Sequence, residues 1–373
     1  WGVRSPRTSL GSVDLAPTME GVLDREVSAD MREESDRLGR KRADAIRGAM
    51  TLVWRAYVEH AWGHDEIKPL GRKGSDNWGG MGVTLVDSLD TLWLMGLKDE
   101  FYKGRDWVRD HLTFDNAGMV SVFETTIRVL GGLLSAFDLS GDKVFLDRAK
   151  ELADRLMPAF STSTGIPYKM VHLTTGKTGG GGTSVLSELG TLQLEFRYLS
   201  QASGDNKYGE KATRVFDFLA SKKVALGLYP IRINPNTGEF TTTQASGLRG
   251  KCTLGDSFYE YLLKVWMQGG RQEETYRRMY DNAMDGVAEV LIHKGKGLTY
   301  LSEWNGQSTQ HRMDHLACFM AGNLALGAVT STDPVRVAKD LQTGKALAYT
   351  CYQMYARTRT GLAPETVEFN AGG

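Results

Sequence analysis

Apolar residues along this 373-residue chain fall into two alternating kinds of helical stretch. In one kind they recur every three to four residues on an otherwise polar segment. Residues 40–62 (Ile46, Met50, Val53, Tyr57), 99–112, 143–157, 206–222, 272–293 and 333–355 belong to it. A one-sided stripe predicts a helix with one buried face, and therefore an outer layer. In the other kind apolar residues occupy nearly every side: 83–97, 119–137, 184–199, 255–267 and 312–329, with another expected to begin near Glu365. These predict helices covered all round, an inner layer. Residues 1–40 are polar and charge-mixed, and the pattern predicts a loose lead-in or stem there, with one domain over 41–373.

An internal repeat runs beneath the alternation. LSGDKVFLDRAKELADRL (139–156) aligns with ASGDNKYGEKATRVFDFL (202–219) at an offset of 63 residues. Glycine-led turns follow the later outer stretches: GIPYK at 165, GLYPI at 227, GLTYL at 297 and GLAPE at 361, spaced by 62, 70 and 64 residues. Each predicts a short extended segment leading to the next inner helix. The fold class expected is all-α: a closed α/α toroid with short hairpins between repeats.

Carboxylates interrupt the inner stretches at matching ends: Glu124, Glu188, Asp256 with Glu260, Asp314, and Glu365 with Glu368. Taken singly, each has a local explanation. Asp256 caps its helix and Glu260 pairs with Lys264 one turn on. Taken together in a toroid, they form a ring of acids at one mouth. Paired carboxylates across a pocket suit glycoside hydrolysis, where one donates a proton to the leaving oxygen and another takes one from water. A ring of acids also suits a hard, oxygen-seeking cation such as Ca²⁺.

Forty-five basic and 45 acidic residues cancel, which argues against a nucleic-acid partner or a polybasic membrane patch. No apolar run reaches the roughly 18 residues of a transmembrane helix. Three cysteines (252, 318, 351) are too few for a disulfide scaffold. TGKT (175–178) lacks the leading glycine of a phosphate loop, since Val171 stands there, so no nucleotide is expected. His60 with His64, and His311 with His315, have half of a zinc spacing and no further ligands in sequence; the first pair fits a helix end and His315 a sugar hydrogen bond. Trp93, Tyr261 and Trp266 are expected in the core, and Trp304 in a loop where it can stack on a sugar ring.

Six ordered motifs carry a family resemblance: DSLDTLWLMGL (87–97), FETTIRVLGGLLSAF (123–137), LSELGTLQLEFRYLS (186–200), LGDSFYEYLLK (254–264), MDHLACF (313–319) and GLAPETVEF (361–369). They resemble the class I α-1,2-mannosidases of N-glycan processing, glycoside hydrolase family 47, over residues 41 to the C-terminus. The resemblance implies an (α/α)7 barrel and inverting removal of terminal α-1,2-linked mannose from high-mannose N-glycans on glycoproteins. It implies Glu124 as general acid acting through a water, Glu365 as general base, and Asp256 as a third essential carboxylate, also argued to be the acid. Arg128, Glu188, Glu260, His315 and Glu368 match pocket-lining positions, and Cys318 and Cys351 match the family's disulfide, which implies an oxidising lumen. Calcium is the implied cofactor, bound to sugar hydroxyls and the attacking water. Its threonine ligand would lie beyond Gly373, with two further inner helices, so no metal ligand is expected in this chain and a continuation past Gly373 is. A membrane anchor would lie upstream. Leu254 stands where endoplasmic-reticulum-type members carry arginine, which leans the expectation toward a Golgi-type enzyme. A glycan-binding, catalytically weak lectin of glycoprotein quality control is the alternative.

Overall fold

The computed structural model describes residues 28–242, 255–304 and 308–369. Of the loose lead-in expected over 1–40, residues 1–27 lie outside the described residues, as do Cys252 and Leu254, whereas residues 29–40 are helical and not loose.

The first helix spans Ala29–Ala61, where Ser28 accepts the Met31 N–H at 3.2 Å. It therefore starts eleven residues before the apolar stripe does, because a side-chain cap, not burial, sets its first turn. Inner and outer helices then alternate as the pattern predicts. The inner ones are Val83–Leu94, the Val122–Ser140 stretch, Leu186–Leu189 with Gln193–Ser203, Asp256–Gln268, and Phe319–Val329. The outer ones are Lys98–Asp110, Lys143–Leu156, Lys207–Ala220, Glu274–Val290 and Pro334–Ala356. Each inner helix packs on the next inner one and on its own outer partner. Fully buried rings tie the shell together: Phe101 with Phe145 between two outer helices (5.6 Å between centroids) and Phe216 with Phe258 between the layers (5.7 Å). Burying such rings is the main stabilising term of the shell.

The repeat is visible at the inner-to-outer corners. Gly141 and Gly204 end their inner helices in the left-handed conformation (φ 73° and 75°), which a side chain resists. The next residue but none, Asp142 or Asp205, then accepts the N–H of Val144 (3.0 Å) or Lys207 (3.1 Å) and opens the outer helix. SGD is thus one turn used twice. Gly165, Gly227, Gly297 and Gly361 all lead their turns with positive φ.

Several elements differ from expectation: Met119–Ser121 and Ser184–Val185, expected to open inner helices, are strands. Residues 312–318 are a strand, Arg312–Asp314, and a short 3-10 turn, His315–Cys318, so the inner helix begins only at Phe319. No helix starts at Glu365. Thr366–Glu368 instead pairs antiparallel with Arg312–Asp314, with Asp314 opposite Thr366, because the Thr-Val pair and an open strand edge favour a ladder. Trp304 lies in the hairpin strand Glu303–Trp304 and packs against the core cluster. Tyr261 and Trp266 are buried, as expected, and Trp93 is partly buried.

Cys318 and Cys351 are bonded, tying the 3-10 turn to the Pro334–Ala356 helix. Among the described residues, large exposed apolar side chains concentrate on the first and last helices: Ile46, Leu52 and Val53 on one, Tyr349, Tyr352 and Tyr355 on the other. Among the described residues no helix is long and apolar enough to cross a membrane.

Candidate active site

Glu124 lies in the short helix Val122–Thr125, capped by Ser121, which accepts the Glu124 N–H at 3.3 Å. The chain continues as a π-helical turn, Thr126–Leu130, before resuming as Gly131–Ser140. One wide turn shifts every following side chain around the axis, a device common where a helix must aim a functional group. Here it carries Arg128, whose Nε donates to Glu124 Oε2 at 2.9 Å while Nη1 stands 3.9 Å from Asp87. Burial raises the Asp87 pKa from its ordinary value, and Arg128 opposes that shift. The guanidinium also lies 5.3 Å from the Trp78 ring centre, in cation–π range.

Trp78 is held from behind. Asp65, fully buried, accepts four backbone N–H groups: Trp78 (2.9 Å), Gly80 (2.8 Å), Met81 (2.8 Å) and Val83 (3.2 Å). Glu66 takes the indole N–H at 2.8 Å and the Asn77 amide at 3.0 Å. The glycine-rich stretch before the first inner helix is therefore a folded loop, fixed around one carboxylate. Sequence reading missed Trp78 and Asp65; the signal was an aspartate at a helix exit facing a run of glycines.

Glu188 sits in Leu186–Leu189, which packs against both Val122–Thr125 and the Asp256 helix. Its Oε1 meets Lys169 at 3.0 Å, and its Oε2 is buried without a hydrogen-bond partner. Asp256 is the first residue of Asp256–Gln268 and accepts the Ser257 N–H at 2.7 Å. It stands inside the helix, and Gly255 takes the cap position. Glu260 pairs with Lys264 at 2.6 Å, as its spacing predicts.

The last group gathers at the strand pair. His315 donates its backbone N–H to the Glu365 carbonyl at 2.8 Å, and its ring Nε2 bonds the Tyr355 hydroxyl at 2.7 Å. Arg312 reaches Thr366 (3.3 Å), Thr366 donates to Asp314 (3.2 Å), and Glu368 stands opposite Arg312. Glu365 is exposed. Glu368 borders a cavity of about 300 Å³ with Leu298, Met354, Val367 and Phe369. A cavity of about 530 Å³ between residues 220–229 and 275–289 holds none of the acids of the ring.

His60 and His64 lie at a helix end, with His64 bonded to Asp76 at 2.9 Å. Among the described residues no three His, Cys, Asp or Glu side chains stand close enough to hold a metal ion. The calcium implied by the resemblance therefore finds no carboxylate or imidazole cluster among the described residues.

Glu124, Glu188 and Asp256 thus stand in the first turns of three successive inner elements, the first two beside Arg128 and Lys169. The model of glycosyl hydrolase family 47 matches residues 49–372. This chain belongs to glycosyl hydrolase family 47. A mannosyl-oligosaccharide 1,2-α-mannosidase of Arabidopsis thaliana is 46% identical over 348 residues, 90% of this chain and 61% of that protein. Mannosyl-oligosaccharide 1,2-α-mannosidase IB of Homo sapiens is 42% identical over 341 residues, 89% of this chain and 52% of that protein. The chain thus spans about half to three-fifths of the length of these family 47 relatives. An α-1,2-mannosidase from Trichoderma reesei superposes with a TM-score of 0.82 at 30% identity, over 88% of this chain and 71% of that one. That likeness gives the fold, the family's (α/α)7 barrel.

Proposed function

We propose that this chain is the catalytic domain of an exo-acting α-1,2-mannosidase that trims high-mannose N-glycans with inversion. The observation that carries the proposal is the pairing of Glu124 with Arg128 from the π turn that follows it, with Glu188 and Asp256 in the first turns of neighbouring inner elements, in a chain 46% identical to a mannosyl-oligosaccharide 1,2-α-mannosidase. A terminal mannose in this ring would meet hydroxyl acceptors in Glu188, Glu260 and Glu368 and a donor in His315. Glu365, exposed at the end of its loop, is the base that takes a proton from the attacking water. Glu124 delivers a proton to the leaving oxygen through a water, and Arg128 holds its carboxyl in one orientation. Asp256 is the third carboxylate of the site. Inversion requires acid and base on opposite faces of the sugar, roughly 6.5–9.5 Å apart.

Calcium dependence follows from the family, and chelation tests it: mannose release that survives chelator removes the metal from the account. The bonded cysteines, and relatives named mannosyl-oligosaccharide 1,2-α-mannosidases, one of them an endoplasmic reticulum enzyme of Homo sapiens, support the lumen of the secretory pathway as its compartment, with Golgi-type trimming the reading Leu254 favours.

The test is incubation of the full-length protein with a high-mannose glycan, reading product mass. Stepwise loss of hexose is expected, and Glu365→Gln should slow it by about 10²–10⁴-fold. Retention of an intact glycan by wild type would instead make the protein a lectin, and full activity in Glu365→Gln would remove the assigned base.

A further inference from the structure

Glu195 is an acid that the proposed mechanism leaves unused, and three inner helices meet at its side chain. It lies in the first turn of Gln193–Ser203. Its Oε1 accepts a hydrogen bond from the Tyr261 hydroxyl at 2.7 Å, reaching across from the helix that begins at Asp256. Its Oε2 is shielded from solvent and has no hydrogen-bond partner. On the other side, a Cβ placed on Gly131 would stand 3.7 Å from its Cγ and 3.9 Å from Oε1. Gly131 immediately follows the π turn that carries Arg128, and its N–H closes that turn on the Thr126 carbonyl.

The seam between the Glu195 and Asp256 helices has two further ties. Thr191 donates to Ser257 at 2.7 Å, and Gln268 donates to the Leu194 carbonyl at 3.0 Å. Glu195 is the middle tie, and it also reaches Gly131. A carboxylate with one donor and one enclosed oxygen is costly to ionise. Burial accordingly pushes Glu195 up to about 7, against the opposing pull of Tyr261 and Lys264 and with a smaller push from Glu260. Those three groups face it from the Asp256 helix, Lys264 and Glu260 being paired at 2.6 Å; the glycine contact from the other helix carries no charge. Because Oε2 is enclosed, Glu195 does not touch a sugar.

We infer that Glu195 is a positioning residue: wedged against Gly131 and bonded to Tyr261, it sets the spacing between the Val122–Ser140 stretch presenting Glu124 and Arg128 and the helix presenting Asp256 and Glu260. The inference rests on the mannosidase reading of those acids. In it, Tyr261 does more than fill the core.

Three variants of the full-length protein test it. Glu195→Gln keeps shape, neutrality and an acceptor for Tyr261. Glu195→Ala removes the wedge, and Tyr261→Phe removes only the bond. The expectation is a kcat about tenfold lower for Ala and Phe with KM within about twofold, and near-wild-type kcat for Gln at pH 6. As pH rises through about 7 the wild type loses the Glu195 proton and part of its rate, and Glu195→Gln does not. The inference is overturned if Gln falls as far as Ala at pH 6, or if all three variants keep wild-type kcat and pH profile. Should Ala not fold, Phe and Gln decide it. A wild type that releases no mannose refutes the activity instead. The tie is then read by thermal unfolding: wild type should lose stability between about pH 4.5 and 7 relative to Glu195→Gln, and parallel curves would overturn it.

Discussion

Arg128 makes three contacts that differ in kind: a hydrogen bond to Glu124, a longer ion pair to Asp87 and a cation–π contact with Trp78. Only a planar guanidinium satisfies all of them, so lysine is a poor substitute. Arg128→Lys should lower kcat/KM by about 10–100-fold while leaving the circular dichroism unchanged, and steady-state kinetics would show it. Asp65 acts one step behind. Replacing it with Asn turns an acceptor of four N–H groups partly into a donor facing them. About 3–5 kcal/mol of stability should be lost, read as a lower denaturant midpoint, with the Trp78 loop opening first. At this scale the sequence was half legible. The acids stood out because charge in an all-apolar helix is conspicuous, whereas Trp78 and Asp65 sit in a loop whose geometry no period encodes.

Among the elements, the alternation of helices was readable because burial on one side or all sides leaves a periodic trace. What the trace could not show is where a helix yields to a strand. Residues 312–318 and 365–368 both continue an apolar pattern, yet they pair with each other, and only long-range contact decides that. The same limit applies to the π turn at Thr126–Leu130, whose phase shift is hidden because apolar residues occupy nearly every side of that stretch. The disulfide stitches this region: Cys318 lies at the end of the turn after the strand and Cys351 on the last outer helix, 33 residues on. By loop entropy its removal in a Cys318→Ser, Cys351→Ser double variant should cost on the order of 3–4 kcal/mol. A calorimetric melt of the two proteins checks the figure, and the expected readout is a Tm several degrees lower.

For the molecule as a whole, a buried charge cluster sets part of the pH dependence of stability. Asp340 is 1% exposed, one of its oxygens has no partner, and Arg336 stands 4.0 Å away. Burial raises its carboxyl to about 6, with Lys339 and Arg336 opposing. The folded protein therefore holds that proton up to about pH 6, while the unfolded chain releases it near 3.8. Stability from this group is present in acid and falls as pH rises across that window. Asp340→Asn should flatten the fall, and above pH 6 it should be more stable than wild type by up to about 3 kcal/mol. Urea unfolding at pH 4.5 and 7.5 measures both limbs. The proposed function comes down to one chemical statement, that water activated by Glu365 attacks the anomeric carbon directly. Proton NMR of freshly released mannose tests that claim most directly. Direct attack on an α-linkage predicts β-mannose as the first anomer formed, before mutarotation; α-mannose appearing first would mean a covalent intermediate and would contradict the account.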